Sequence, residues 1–205
     1  MKRSIIGITG GTGCGKTTAL KALEALGYHI IDCDALYYQL LKEDYAMLDA
    51  IAQQFPGTVL EGQLQRKELG RQVFSNPETL QRLNQTVWPF VHRAVEQILS
   101  EQAPSPCAID AIGLSESGLA SLCTLTVAVT APEDARIRRL MAREGIEEDY
   151  ARLRIRAQQP NDYFSALCNI TLHNDFDTAD GFFAHCKEIL SRLQEQQTKE
   201  EPHHE

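Results

Sequence analysis

The sequence has no long apolar run. Nowhere in its 205 residues does an apolar stretch approach the length of about eighteen side chains that a transmembrane helix needs. Met1, Lys2 and Arg3 lead directly into a short β-like segment, with no apolar leader region in between. We therefore expect a cytoplasmic protein without a secretory signal and without a membrane partner.

A dense tract of lysine and arginine is also missing. The chain carries 20 Lys and Arg against 28 Asp and Glu, which gives a formal net charge of -8. Sequence-independent binding to nucleic acid phosphates depends on a basic surface, so we expect no nucleic acid partner. A compact anionic substrate remains compatible with this balance, because a few local arginines can bind it.

No pair of cysteines has the C-x-x-C spacing. The six cysteines are scattered, so the sequence predicts neither a disulfide framework nor a zinc site. Most are expected to be reduced, partly buried fillers. Cys14 is the expected exception, because a thiol at the start of a helix is favoured as thiolate. We expect oxidants and alkylating reagents to inactivate the protein through Cys14.

One segment has the pattern of a phosphate-binding loop. Residues 10–17, GGTGCGKT, fit G-x-x-x-x-G-K-[ST] and lie between a β-like run and a helical one. Glycines let the backbone curve so that N–H groups point at phosphate oxygens, and the next helix adds the positive end of its dipole. Lys16 is predicted to bridge the β and γ phosphates, and the Thr17 hydroxyl to bind Mg²⁺. The loop therefore predicts a site for a nucleoside triphosphate. Its predicted contacts are Gly11, Thr12, Gly13, Cys14, Gly15, Lys16, Thr17 and Thr18.

Five short β-like runs alternate with helical stretches and predict an α/β fold. The runs lie at residues 4–9, 29–32, 107–111, 125–130 and 169–173. Strands separated by helices form right-handed β-α-β units, so we expect a five-stranded parallel sheet with helices on both faces, a three-layer architecture.

The intervals between these runs predict the domain organisation. About seventy residues with helical spacing separate the second and third runs, which is longer than a simple crossover. Within one domain, 1–193, we predict a core (1–34, 105–133 and 160–193), a helical insertion (35–104) and a lid (134–159) that Gly145 divides. Asn76 and Pro77 are expected to start a helix of the insertion. The polar residues 194–205 are predicted to form a disordered tail.

Two groups of charged residues suggest phosphoryl transfer. Asp32 and Asp34 follow the second strand, where the carboxyl edge of an open parallel sheet binds ligands. We favour Asp34 as the base that receives the acceptor's proton, whereas Asp32 is favoured as a helix cap. Arg139 and Arg143 share one helix face and are predicted to fold over the triphosphate; the same role is less favoured for Arg136 and Arg138.

The absence of an N-K-x-D element, which reads guanine, argues against a GTPase.

Taken in order along the chain, these motifs resemble the dephospho-coenzyme A kinase family. Besides the loop, the resemblance rests on Ile31-Asp32-Cys33-Asp34, Arg66-Lys67-Glu68-Leu69-Gly70, Val73-Phe74-Ser75-Asn76-Pro77, Asp110, Glu116-Ser117-Gly118-Leu119, Arg139-Leu140-Met141-Ala142-Arg143, Arg154-Ile155-Arg156-Ala157-Gln158 and Asn174. The match spans residues 4 to 190.

The resemblance implies a P-loop kinase that transfers the γ-phosphate of ATP to the ribose 3′-hydroxyl of dephospho-coenzyme A (dephospho-CoA), the last step of coenzyme A (CoA) biosynthesis. It implies that the insertion binds CoA, that Asp34 is the base, that Arg139 and Arg143 are lid arginines and that Asn174 lies where adenine is held. The chain departs from the family pattern at Trp88, Ile112, Gly113, Phe164, Cys168 and Asn169, around the acceptor pocket and the last strand.

Two alternatives remain open at the level of sequence. The first is a P-loop kinase for another small acceptor, such as a nucleoside monophosphate or a sugar; the long helical insertion favours a larger acceptor. The second is a nucleotide-binding regulator without activity, and the presence of Lys16, Asp34 and the lid arginines argues against it.

Overall fold

A parallel five-stranded sheet forms the centre of the computed structural model, which describes residues 3–73 and 76–199, the last three by their backbone alone. Its strands are β1 (Ile5–Thr9), β2 (His29–Asp32), β5 (Cys107–Asp110), β6 (Leu125–Thr130) and β7 (Ile170–His173), in the order β2-β5-β1-β6-β7. The prediction of five parallel strands is confirmed, with bounds that differ by at most one residue at each end.

Helices cover both faces of the sheet. On one face, α1 (Lys16–Ala25) packs against α9 (Ala179–Lys199) around Ile6, Ile8 and Val127. On the other, α2 (Cys33–Glu43) and α5 (Pro77–Glu101) cover Ile31 and Ile109. Burial of the strands on both sides explains why they are apolar rather than alternating.

The insertion is helical and has a core of its own. After α2 come α3 (Tyr45–Gln54) and α4 (Arg66–Val73), followed by the long helix α5. Apolar side chains of these helices, among them Met47, Ile51 and Phe55, pack together away from the sheet. Asn76 caps α5 by accepting from the Glu78 N–H, and Pro77 is its first residue, as predicted. Phe74 and Ser75 lie outside the described residues.

Sequence reasoning missed a two-stranded hairpin in the insertion. β3 (Val59–Leu60) and β4 (Gln63–Leu64) are antiparallel and joined by Glu61 and Gly62, both with positive φ. A two-residue hairpin loop favours this conformation at both positions. The strands are too short to show an alternating pattern.

The predicted lid forms a helical hairpin beside the carboxyl edge of the sheet. α6 (Glu133–Glu144) ends at Gly145, whose φ of 67° terminates the helix as predicted. α7 (Glu148–Arg156) packs back on α6 through Ile137, Leu140 and Ile155. The short helix α8 (Asn161–Leu167) then leads to β7.

The prediction of a disordered tail from residue 194 is wrong for residues 194–199, because α9 continues to Lys199. Residues 200–205 of that tail lie outside the described residues. Within the described part of the chain, no helix is both long enough and apolar enough to cross a membrane.

Candidate active site

The phosphate-loop motif forms a tight turn between β1 and α1. Gly10, Gly13 and Gly15 have φ values of 141°, 79° and 106°, which side chains rarely permit. A Cβ on Gly10 would lie 2.2 Å from the Val129 carbonyl oxygen, so the close approach of loop and sheet also requires glycine. The first turn of α1 has neither a side-chain cap nor an acidic residue, which leaves its positive end available to an anion.

Lys16 reaches across the carboxyl edge of the sheet to Asp110. Its ammonium lies 3.1 Å from Asp110 Oδ1, and both side chains are largely buried. Burial raises the pKa of the Asp110 carboxyl, and the charge of Lys16 opposes that rise. The ion pair holds the ammonium group of Lys16 at the carboxyl edge of the sheet, beside the first turn of α1, where a triphosphate would lie. Sequence reasoning assigned no role to the side chain of Asp110.

The two aspartates after β2 have different surroundings. Asp32 is opposite Asp110 in the register of the sheet and caps α2 by accepting from the Ala35 N–H at 2.9 Å. Asp34 lies in the first turn of α2, is exposed and lines a large cavity. The favoured interpretation of Asp32 as a cap is therefore confirmed, and Asp34 has the position that a base acting on a bound acceptor needs.

The cavity beside Asp34 has a volume of about 710 Å³ and lies between α2, α4, α5 and the segment after β5. Its walls include Asn84 and Trp88 of α5, and Ile112 and Glu116 after β5. Three of the family departures, Trp88, Ile112 and Gly113, therefore line the cavity. Phe164 and Cys168 are not among its lining residues; they lie in and after α8, beside the start of β7.

One wall of this cavity combines aromatic and cationic groups. The Arg66 guanidinium stacks over the Tyr38 ring at 5.0 Å from its centroid, and both side chains line the cavity. Such a surface suits a ligand with both an aromatic base and phosphates.

The two predicted lid arginines make different contacts. Arg139 donates from Nη1 to the Gly13 carbonyl oxygen at 3.3 Å, and from Nη2 to Asn174 Oδ1 at 3.0 Å and the Phe176 carbonyl oxygen at 3.2 Å. It thus lies against the phosphate loop. Arg143 is exposed and pairs with Glu144, which also binds Arg154. The structure does not place Arg143 beside Arg139 at the loop.

Asn174 follows β7 and is 4% exposed. Its Nδ2 donates to the Cys14 carbonyl oxygen at 2.9 Å, while its Oδ1 accepts from Arg139. Both ends of the amide therefore bind protein groups that hold the phosphate loop. Contact between Asn174 and adenine stays a prediction.

The expectation of a reactive Cys14 thiolate is wrong for this structure. Cys14 is fully buried, and its thiol donates to the Gly11 carbonyl oxygen at 2.7 Å. Burial raises the pKa of the thiol, and the charge of Lys16 offsets this only in part. The backbone N–H of Lys16, in the first turn of α1, also favours the thiolate, but burial in the core outweighs it. All six cysteines are free, as predicted, and most of them are buried.

Two further residues bind the loop from the lid side: Arg136, for which sequence reasoning favoured a lid role less, and Gln158, which it named only within the family motif. Arg136 Nε donates to the Thr12 carbonyl oxygen at 2.8 Å. Gln158, after α7, accepts from the Thr12 N–H at 2.8 Å and donates to the Thr12 hydroxyl at 2.8 Å. The sequence signals for these contacts were the cluster of arginines after the fourth predicted strand and the family motif that ends at Gln158.

A phosphate loop between β1 and α1, a lysine–aspartate pair at the carboxyl edge of a parallel sheet, and a helical hairpin against the loop together define a P-loop kinase. The chain matches the family model described as Dephospho-CoA kinase over residues 4–180. It belongs to the dephospho-CoA kinase family, and it is an ATP-dependent kinase that acts on a hydroxyl group.

The relatives cover most of the chain. The dephospho-CoA kinase of Carboxydothermus hydrogenoformans is 34% identical, over 83% of this chain and 85% of that protein. The dephospho-CoA kinase of Dehalococcoides mccartyi is 31% identical, over 92% and 96%. A Thermus thermophilus protein of known crystal structure is 33% identical, with a TM-score of 0.75 over 94% of this chain and 99% of that chain.

Proposed function

We propose that this chain transfers the γ-phosphoryl group of ATP to the ribose 3′-hydroxyl of dephospho-CoA and releases CoA and ADP. The observation that supports this acceptor is the cavity of about 710 Å³ that Asp34 lines. A site for a sugar or a nucleoside monophosphate needs less room, whereas dephospho-CoA combines a nucleotide with a long arm. Arg66 over Tyr38 provides a wall for the nucleotide part.

The reaction requires one bond to form and one to break. The acceptor's 3′-oxygen attacks the γ-phosphorus, the bond to the β–γ bridging oxygen breaks, and ADP leaves with that electron pair. In our proposal the Asp34 carboxylate accepts the hydroxyl proton. Lys16 stabilises the charge on the transferred group and the leaving oxygen. Arg139 fixes the loop through its hydrogen bond to the Gly13 carbonyl oxygen.

The site also fits Mg²⁺. Within residues 3–73 and 76–199, no group of three or more His, Cys, Asp or Glu side chains could hold a metal ion. An ion held mainly by phosphates and waters needs only one or two protein oxygens, and the exposed Thr17 hydroxyl in the first turn of α1 can supply one. When bound there with ATP, Mg²⁺ would neutralise charge on the β and γ phosphates.

An ADP-release assay with a panel of acceptors tests the proposal. With ATP and Mg²⁺ fixed, kcat/KM is measured for dephospho-CoA, adenosine and cytidine monophosphates, gluconate and shikimate. We expect dephospho-CoA to exceed every other acceptor by at least about a hundredfold, which corresponds to about 2.7 kcal/mol of selective binding in the transition state.

Product analysis accompanies the assay, because phosphate on any position other than the ribose 3′-oxygen would contradict the proposal. Higher kcat/KM with a smaller acceptor would also overturn it.

A further inference from the structure

Arg136 carries a buried charge that forms no salt bridge with any described carboxylate. Its side chain belongs to α6, and the residue is 4% exposed. Among the described residues, no Asp or Glu oxygen lies within ion-pairing distance of the guanidinium; nearby Glu133 pairs instead with Arg152. Burial lowers the pKa of Arg136, and the more distant charge of Glu133 opposes this only in part. A buried charge is costly unless a partner of opposite sign is present.

The guanidinium lies against the backbone of the phosphate loop. Besides donating from Nε to the Thr12 carbonyl oxygen at 2.8 Å, it donates from Nη2 to Gln158 Oε1 at 3.1 Å. The same Oε1 accepts from the Thr12 N–H. The backbone carbonyl, the backbone amide and the hydroxyl of Thr12 are therefore all bound by Arg136 and Gln158.

Gly11 makes this arrangement possible. A Cβ at position 11 would lie 2.4 Å from Arg136 Nη2 and 3.1 Å from Gln158 Oε1. The absence of a side chain thus brings a full positive charge into contact with the loop backbone.

We propose that Arg136 is a positioning residue for the phosphoryl donor: it fixes Thr12 in the loop and provides a buried charge that the triphosphate of ATP balances. The proposal rests on ATP as donor and is independent of the identity of the acceptor. In this chain Lys16 is proposed to contact the phosphates directly, whereas Arg136 acts through the loop.

The test separates the charge from the shape of the side chain. The dissociation constant of Mg-ATP is measured by calorimetry without acceptor for wild type, Arg136→Gln and Arg136→Lys, with Arg138→Gln as the matched control. Arg138 is exposed and lies on the same helix. We expect Arg136→Gln to weaken ATP binding about tenfold, the size of one charge-assisted contact, and Arg136→Lys to remain within about threefold of wild type. The control should match wild type.

A second variant neutralises the charge without removing the arginine. Gln158→Glu keeps an acceptor for the Thr12 N–H and places a carboxylate against the guanidinium. We expect it to weaken ATP binding about as much as Arg136→Gln, which keeps the proposal testable if that variant does not fold. In both variants KM for dephospho-CoA should change less than KM for ATP.

Two results would overturn the proposal: equal losses in Arg136→Gln and Arg136→Lys, which would mean that shape alone matters, or ATP binding by Gln158→Glu equal to wild type. Turnover of a different acceptor by wild type would contradict the proposed function and leave this inference intact. Failure of wild type to bind ATP would contradict both.

Discussion

At the scale of single residues, the contacts of Asp32 and Asp34 separate their roles. Asn can replace Asp as a cap, so Asp32→Asn keeps the hydrogen bond to the Ala35 N–H and should lower kcat less than about threefold. Asp34→Asn removes the proposed base and should lower kcat by about 10² to 10⁴. The measurement is kcat with both substrates saturating. Near-normal turnover of Asp34→Asn would reduce Asp34 to a group that positions the acceptor.

Residues adjacent in sequence to a motif could be predicted, and distant partners could not. The phosphate loop, its lysine and the aspartates after β2 follow from short patterns. Gln158 and Arg136 bind Thr12 from positions 146 and 124 residues away, so no local pattern links them. The prediction for Cys14 was wrong because the local sequence does not show burial: the amide of Lys16 favours the thiolate, but desolvation of the buried sulfur outweighs it.

At the scale of elements, helix α5 depends on its cap. It contributes several walls of the acceptor cavity, including Asn84 and Trp88, and begins with the hydrogen bond from the Glu78 N–H to Asn76. Asn76→Ala should lower the free energy of unfolding by about 1 kcal/mol, whereas Asn76→Asp keeps an acceptor and should cost less than half of that. Urea denaturation of the two variants checks this. Equal losses would show that the cap does not stabilise α5.

The long elements could be predicted from periodicity, but some of the short and terminal ones could not. α6 carries its stop signal in Gly145, and the strands of the central sheet are apolar because they are buried on both faces. The hairpin β3–β4 gives only a Glu61-Gly62 pair as a signal. The sequence at the end of α9 is polar, and its composition indicated disorder although the helix continues to Lys199.

At the scale of the whole molecule, buried thiols predict instability in alkali. Burial raises the pKa of Cys33, Cys123 and Cys186 from 9.0 to about 12. Between these values the unfolded chain loses a proton that the folded chain retains, so the free energy of unfolding falls as pH rises above about 9. Each thiol contributes a slope of at most about 1.4 kcal/mol per pH unit.

Cys186→Ala tests this contribution. Urea denaturation at several pH values between about 8 and 10.5 should give a shallower decline for the variant than for wild type. Val127→Ala is the matched control, because it truncates an equally buried side chain without removing a titrating group. It should lower stability at every pH and leave the slope unchanged. A wild-type slope in Cys186→Ala would contradict the prediction.

The class of fold could be predicted from the sequence because β-like and helical runs alternate, but the order of the strands could not. Every β-α-β unit obeys the same local rules, and the order β2-β5-β1-β6-β7 depends on which strands become neighbours over long separations. That order brings the ends of β2, β5 and β1 together. It therefore places Asp34, Asp110 and the phosphate loop at one edge.

Gly11 has a consequence for how this protein can change over generations. Because a Cβ there would lie 2.4 Å from Arg136 Nη2 and 3.1 Å from Gln158 Oε1, a substitution at position 11 requires the ends of these side chains to shift or to be shorter. Positions 11, 136 and 158 are therefore expected to covary among relatives although they belong to distant parts of the chain. Substitutions in the phosphate loop are therefore linked to substitutions in and after the helical hairpin.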